Sequence, residues 1–162
     1  MTTLTQSPAY STPQKLLHWT TVGLLLVQYL LLDGMGRPFR QLMESGSPSY
    51  DLRVVLHIAV GLSVLACAAA RLVLRARHGA PTAPEGEPKW ARTLGRITHG
   101  ALYGLLFALP LSGFIAWFGA VGPAAGAHET MTTLLLVVAG LHVGGVAVHQ
   151  FVWRTGLLAR MI

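Results

Sequence analysis

Long apolar stretches separated by short polar segments form the dominant pattern of this chain. Each stretch has close to the roughly 20 apolar residues that a helix needs to cross a bilayer. Glycine, proline and polar residues break the pattern over 35–50 and 75–89, which we interpret as loops. The pattern predicts an all-α membrane protein in which residues 1–162 form one domain, a bundle of four transmembrane helices. The predicted helices are about 16–32, 52–74, 94–118 and 126–153.

The composition supports a membrane protein and argues against a nucleic-acid-binding one. Hydrophobic residues make up 52% of the 162 residues and charged residues only 11%, whereas soluble domains carry about 25% charged residues. The net charge of +6 could attract nucleic acid. However, the basic residues flank the apolar stretches and form no separate basic face, so we expect no nucleic-acid partner.

The basic residues also predict an orientation. Most lie on one side of the predicted bundle: Lys15, Arg71, Arg75, Arg77, Lys89, Arg92, Arg96, Arg154 and Arg160. The other side has only Arg37, Arg40 and Arg53. Because cytoplasmic loops are enriched in Lys and Arg, both termini are predicted to face the cytoplasm.

Histidines at matching depths are the strongest functional signal. Only His78 of the seven histidines lies clearly in a predicted loop, and an ionisable residue inside a membrane indicates function. His128 and His142 are 14 residues apart, so they share one helix face about 21 Å apart. His57 lies early in the second helix, toward the outer side, and His18 lies early in the first helix, toward the inner side. The depths therefore predict two cross-helix pairs, His57 with His128 and His18 with His142.

Neutral imidazoles paired across helices suit the two axial positions of a haem iron. Zinc and copper sites need three or four clustered ligands, which these spread histidines do not offer. Depth alone leaves His149, one heptad beyond His142, as an alternative partner for His18. A haem-free transporter that relays protons through its histidines is a further alternative.

Short motifs along the chain occur in a characteristic order and spacing. They are Lys15-Leu16-Leu17-His18-Trp19, Leu56-His57-Ile58 with Gly61, Ala70-Arg71-Leu72, Pro110 with Gly113, His128-Glu129-Thr130, and Gly140-Leu141-His142 with His149 and Trp153. Together they resemble the bacterial cytochrome b561 family of di-haem membrane cytochromes b. The resemblance covers about residues 15–162.

The resemblance implies a multi-pass protein of the bacterial inner membrane with two non-covalent haems b. It assigns His18 and His142 as iron ligands of the cytoplasmic-side haem, and His57 and His128 as ligands of the periplasmic-side haem. It also implies candidates for ubiquinone contact or proton uptake: His99, His149 and Arg71.

A characterised member of the family is similar to a superoxide oxidase, which implies electron transfer from periplasmic superoxide through both haems to ubiquinone. The residues that could steer the superoxide anion to the outer haem are Arg37, Arg40 and Arg53. The alternative within the same family is a haem-bearing membrane subunit that serves a periplasmic redox enzyme.

Overall fold

The computed structural model describes residues 9–82 and 87–162, and these residues form helices and no strand. The α-helices are α1 (Thr12–Leu31), α2 (Gly36–Ser45), α3 (Leu52–His78), α4 (Lys89–Gly119) and α5 (Gly122–Ala147). A π-helical turn, Val148–Val152, continues α5, and a short 3-10 turn, Leu158–Arg160, follows it. The predicted all-α class is confirmed.

The membrane-spanning capacity of the helices follows from their length and hydropathy. α3, α4 and the combined helix Gly122–Val152 are each long and apolar enough to cross a bilayer. α1 meets that test together with α2, from which it is separated by a bend of 69°. Residues 9–82 and 87–162 therefore contain three such helices, or four if α1 and α2 make one bent span. Large apolar side chains such as Leu30 and Phe151 lie exposed on the outside of the bundle, as lipid contact requires.

α2 corrects the prediction of a loop over 35–50. Its apolar residues Phe39 and Leu42 are three apart and pack in one cluster with Val54 and Trp117. The helix ends at Gly46, which adopts a left-handed conformation (φ 68°) and donates its N–H to the Leu42 carbonyl over 2.9 Å. α2 is strongly amphipathic, but its mean hydropathy is low and it contains Pro38, so a search for long apolar runs interprets this segment as a loop. A helix of ten residues is stable only when tertiary contacts bury its apolar face.

α3 extends beyond its predicted end at residue 74, so that part of the predicted loop over 75–89 is helical. Asp51 caps its first turn by accepting from the Val54 N–H over 2.9 Å. Arg75, Arg77 and His78 form the last turn, where positive charge interacts favourably with the helix dipole. Gly79 then ends the helix. The prediction that His78 lies in a loop is wrong, since it is the last helical residue.

The other long helices begin earlier than predicted, at Thr12, Lys89 and Gly122. α1 and α5 each have a proline in the first turn, where the missing N–H costs no helical hydrogen bond. Hydropathy places a helix start at the first strongly apolar residue, so it misses first turns that are polar, as in α1, or made of glycine, proline and alanine, as in α5.

The helices pack in pairs around an apolar centre. α4 packs most extensively against α5, and α1 packs against α3. Buried apolar side chains fill the middle of the bundle, namely Val64, Ala68, Leu105, Leu106, Leu109 and Leu135. We call the end that carries α2 the α2 end, and the opposite end, which carries the start of α1 and the segment after α5, the terminal end.

The burial of Leu42 gives the first testable prediction. Leu42→Ala should destabilise the docked α2 by about 2–5 kcal/mol, because truncation of a buried leucine leaves a cavity against Val54 and Trp117. Hydrogen exchange of the α2 amides should accelerate accordingly. The matched control is Met43→Ala, since Met43 is 49% exposed. Equal acceleration in both variants would contradict the observed docking of α2.

Candidate functional site

His57 and His128 face each other at the α2 end. The two ring centroids are 6.2 Å apart and the ring planes are inclined by 58°. His57 lies in the second turn of α3, and its Nδ1 is 3.1 Å from the carbonyl oxygen of Leu32. Leu32 is the C-cap of α1, so this carbonyl lacks a helical partner and is available to accept. A carbonyl only accepts, so His57 Nδ1 carries the proton and Nε2 keeps its lone pair.

His128 is oriented in the same way by a different helix. Its Nδ1 is 2.9 Å from the carbonyl oxygen of Leu109 in α4 and 3.3 Å from the Ser112 hydroxyl. Gly113 lies directly against the imidazole: a Cβ at this position would be 3.1 Å from His128 Cε1 and Nδ1. The glycine therefore allows the ring to reach the Leu109 carbonyl. His128 also keeps its Nε2 lone pair free to bind a metal.

His18 and His142 face each other at the terminal end. Their ring centroids are 6.4 Å apart and the ring planes are inclined by 66°. His18 lies in the second turn of α1 and His142 near the end of α5. The neighbour of His18 Nδ1 is not a carbonyl but the guanidinium of Arg71, whose Nη2 is 3.1 Å away.

His99 is a third histidine at the terminal end. Its ring lies edge-on against that of His142, with the centroids 4.9 Å apart. Its Nδ1 is 2.7 Å from the carbonyl oxygen of Gly95, which fixes the proton on Nδ1. The structure thus brings three predicted site residues, His99, Arg71 and His142, together around His18.

The spacing of the two pairs suits a metal ion between the rings. Two metal–imidazole bonds of about 2.0–2.1 Å, with about 1.1 Å from each nitrogen to its ring centre, place the two ring centres about 6 Å apart. The separations of 6.2 Å and 6.4 Å match that value. The separation of 4.9 Å between His99 and His142 is too short for it. Among residues 9–82 and 87–162 no three His, Cys, Asp or Glu residues form a metal cluster. The pairs therefore offer two ligands each, as a porphyrin iron requires.

His149 is held away from this arrangement. It lies in the π-helical turn, where its Nε2 is 3.3 Å from the carboxylate of Glu87 and its Nδ1 is 3.0 Å from the Thr155 hydroxyl. Both ring nitrogens are thus engaged. Glu87 also contacts the Arg92 guanidinium at 3.8 Å. It is His142, and not His149, that the structure places opposite His18.

The three arginines predicted to steer anions lie at the α2 end but differ in their contacts. Arg37 and Arg40 are exposed and three residues apart on α2. Arg53 lies in the first turn of α3 and donates from Nη1 to the carbonyl of Asp33 over 3.1 Å. All three arginines are exposed, and Arg37 and Arg40 form a pair of exposed charges on one helix.

Sequence comparison bears on the choice between the haem and transporter hypotheses. The profile of the family described as prokaryotic cytochrome b561 matches residues 9–162. The chain belongs to this family. It is similar to a cytochrome b562 of Cereibacter sphaeroides, with 31% identity over 98% of both chains. It is also similar to cytochrome b561 homolog 1 of Escherichia coli K12, with 24% identity over 94% of this chain and 96% of the relative.

Membership of the cytochrome b561 family identifies the protein as a haem b membrane protein of electron transfer. It favours the haem interpretation of the intramembrane histidines over a haem-free transporter.

Sequence reasoning assigned no role at the site to several residues that shape it. The carbonyls of Leu32 and Leu109 orient two imidazoles, but every residue has a carbonyl, so no residue type marks them. Gly113 matters because another helix brings His128 against it. Glu87, next to a predicted loop proline, gave no sign of its contact with His149. All four depend on contacts between segments distant in sequence.

The contact of Gly113 with His128 yields the second prediction. Gly113→Ala should push the imidazole away from the Leu109 carbonyl and weaken haem binding by about 10–100-fold, the usual effect of losing a partner that orients a metal ligand. Haem content per chain at limiting haem measures this loss. Gly104→Ala is the matched control, because Gly104 lies on the same helix with no atom within 4 Å of the added Cβ. Full haem retention in Gly113→Ala would contradict the assigned contact.

Proposed function

We propose that this protein carries two haems b in the bacterial inner membrane and passes electrons from periplasmic superoxide to ubiquinone. His57 and His128 would hold one haem at the α2 end, which would face the periplasm. His18 and His142 would hold the other at the terminal end, on the cytoplasmic side. The supporting observation is the presence of two opposed imidazole pairs with ring separations of 6.2 Å and 6.4 Å.

The spacing of the two sites suits electron transfer across the bilayer. Each haem supplies a one-electron Fe(III)/Fe(II) couple when bound. His128 and His142 belong to one continuous helix and are 14 residues apart, so their backbones lie about 21 Å apart along it. That is most of the roughly 30 Å hydrocarbon thickness. The apolar side chains between the sites exclude water from the middle of the bundle.

Superoxide suits the α2 end because it is a small anion. The exposed guanidinium groups of Arg37 and Arg40 would raise its local concentration there. Two superoxide ions would each give up one electron and leave as dioxygen. One ubiquinone would take up these two electrons and two protons to become ubiquinol.

Ubiquinone would be reduced at the terminal end. His99 is the proposed contact for the reduced quinone, because its Nδ1 donates to the Gly95 carbonyl and its Nε2 lone pair can therefore accept a hydrogen bond from a quinol O–H. Arg71, which lies beside His18 at the terminal end, is the second proposed contact for ubiquinone. His149, with Glu87 at 3.3 Å, is the proposed site at which protons enter from the cytoplasm.

We also propose an orientation of the bundle in the membrane, with the terminal end facing the cytoplasm. Nine of the 12 Lys and Arg residues lie on the side of the terminal end, which supports a cytoplasmic location for both termini. Reporter fusions at residue 162 and in the segment 46–50 should report opposite sides of the membrane.

Single-histidine variants test the ligand assignment. His57→Ala and His128→Ala should each abolish the same haem signal, while His18→Ala and His142→Ala should abolish the other, because each pair shares one iron. A reduced-minus-oxidised spectrum with haem quantification measures both signals. His78→Ala serves as the control, since His78 Nδ1 is 3.2 Å from the Leu74 carbonyl of its own helix, and His78 is not one of the four proposed ligands. Unchanged absorbance in all four ligand variants would refute the assignment.

Variants of α2 that lack its exposed charges test whether superoxide is the donor. Replacing Arg37 and Arg40 together by Gln should lower superoxide-driven ubiquinol formation about tenfold at low salt. The effect should be smaller at high salt, because salt screens the attraction between the arginines and the superoxide anion. Arg77→Gln is the control, since it removes one exposed charge at the terminal end. An unaltered rate would refute steering by α2. Absence of any superoxide-driven reduction in wild type, together with co-purification of a soluble redox enzyme, would favour the subunit alternative.

A further inference from the structure

α3 and α5 present different side chains at the same spacing. On α5, His128 and His142 are 14 residues apart, and on α3, His57 and Arg71 are also 14 residues apart. This interval corresponds to about four turns, so each helix places its two residues on nearly one face. At the α2 end α3 contributes an imidazole, whereas at the terminal end it contributes a guanidinium.

The immediate neighbours of the two histidine pairs therefore differ in charge. At the α2 end, both Nδ1 atoms face backbone carbonyl oxygens, of Leu32 and Leu109. These acceptors draw the Nδ1 proton outward and make the imidazole a stronger electron donor to a metal. At the terminal end, the guanidinium of Arg71 lies 3.1 Å from His18 Nδ1. The carbonyls favour oxidised iron, and the cation favours reduced iron.

Among the residues that the structure describes, no carboxylate forms an ion pair with Arg71. Its guanidinium lies over the ring of Tyr103, 5.6 Å from the centroid, where a cation is attracted by the ring face. Within the described ranges, the ion pairs involve Glu87 and do not include Arg71. Arginine keeps its proton in proteins, so the positive charge stays beside His18.

We propose that Arg71 raises the reduction potential of the haem held by His18 and His142 above that of the haem held by His57 and His128. This inference rests on the proposed haem ligation. Reduction adds one electron to an iron and lowers the charge of its site by one unit. A fixed cation nearby stabilises the reduced form, and the low dielectric of the bundle interior strengthens that interaction. The difference makes electron flow from the α2 end to the terminal end favourable.

Single-haem forms test this order directly. His128→Ala leaves the terminal-end haem, and His18→Ala leaves the α2-end haem, so a spectroelectrochemical titration of each measures one potential. We expect the haem retained in His128→Ala to have the higher potential. The reverse order, or equal potentials, would overturn the proposal irrespective of any Arg71 variant.

The contribution of Arg71 is then measured in the His128→Ala background. Arg71→Gln removes the charge and should lower the equilibrium constant for reduction at least tenfold, which is about 59 mV for a one-electron couple. Arg71→Lys keeps the charge and should retain most of the potential. The matched control is Arg75→Gln, because Arg75 lies one turn further along α3 and is exposed, so its removal should leave the potential unchanged.

The outcomes separate this inference from the proposed function. An unshifted or raised potential in Arg71→Gln, or an equal shift in Arg75→Gln, would overturn the inference and leave the ligation intact. Loss of haem from both Arg71→Gln and Arg71→Lys would assign Arg71 to haem retention and would also overturn it. A wild-type protein purified without haem would instead refute the proposed function.

Discussion

The opposition of two imidazoles across a helix interface is the constraint on which the rest of this structure depends. A ring separation near 6 Å leaves no room for ordinary side-chain packing between the nitrogens, yet it suits a metal bound to both. To hold two such pairs, α5 must present His128 and His142 on one face, while α1 and α3 bring a partner to opposite ends. Antiparallel packing of the helices meets this requirement, because α1 and α3 start at opposite ends of the bundle.

Backbone geometry contributes as much to the α2-end pair as the histidines themselves. α1 ends at Leu31, and the unpaired carbonyl that follows, at Leu32, orients His57. α4 offers the Leu109 carbonyl beside a glycine that leaves space for the His128 ring. A helix end and a missing side chain thus select the same tautomer in both histidines. Such fixed partners reduce the freedom that a metal ligand would otherwise lose on binding.

The terminal end is built differently and is richer in titratable groups. Arg71, His99 and His142 surround His18, while Glu87 and His149 form a second contact between the segment before α4 and the end of α5. The α2 end instead has an amphipathic helix with exposed arginines. This difference between the ends matches a protein whose two ends perform different steps of one electron-transfer reaction.

The position of each histidine along its helix explains why depth in the membrane predicted the histidine pairs. A helix position converts directly into depth when a segment spans a membrane, since each residue adds about 1.5 Å. His18, His57 and His128 lie near helix starts, and their pairing partners follow from the alternating direction of the helices. His149 was an alternative to His142 by this measure, because a π-helical turn and its contact with Glu87 have no signature in residue spacing.

The amino-acid sequence by itself determined the all-α membrane class, the long apolar helices and which histidines lie at matching depths. These features follow from hydropathy and periodicity, which act locally along the chain. Tertiary structure alone decided the docking of α2, the separation of His149 from His18, the carbonyl partners at the α2 end and the position of Arg71 beside His18. Each of these depends on contacts between distant segments, where the free energy comes from packing and hydrogen-bond geometry rather than from the residue type at any one position.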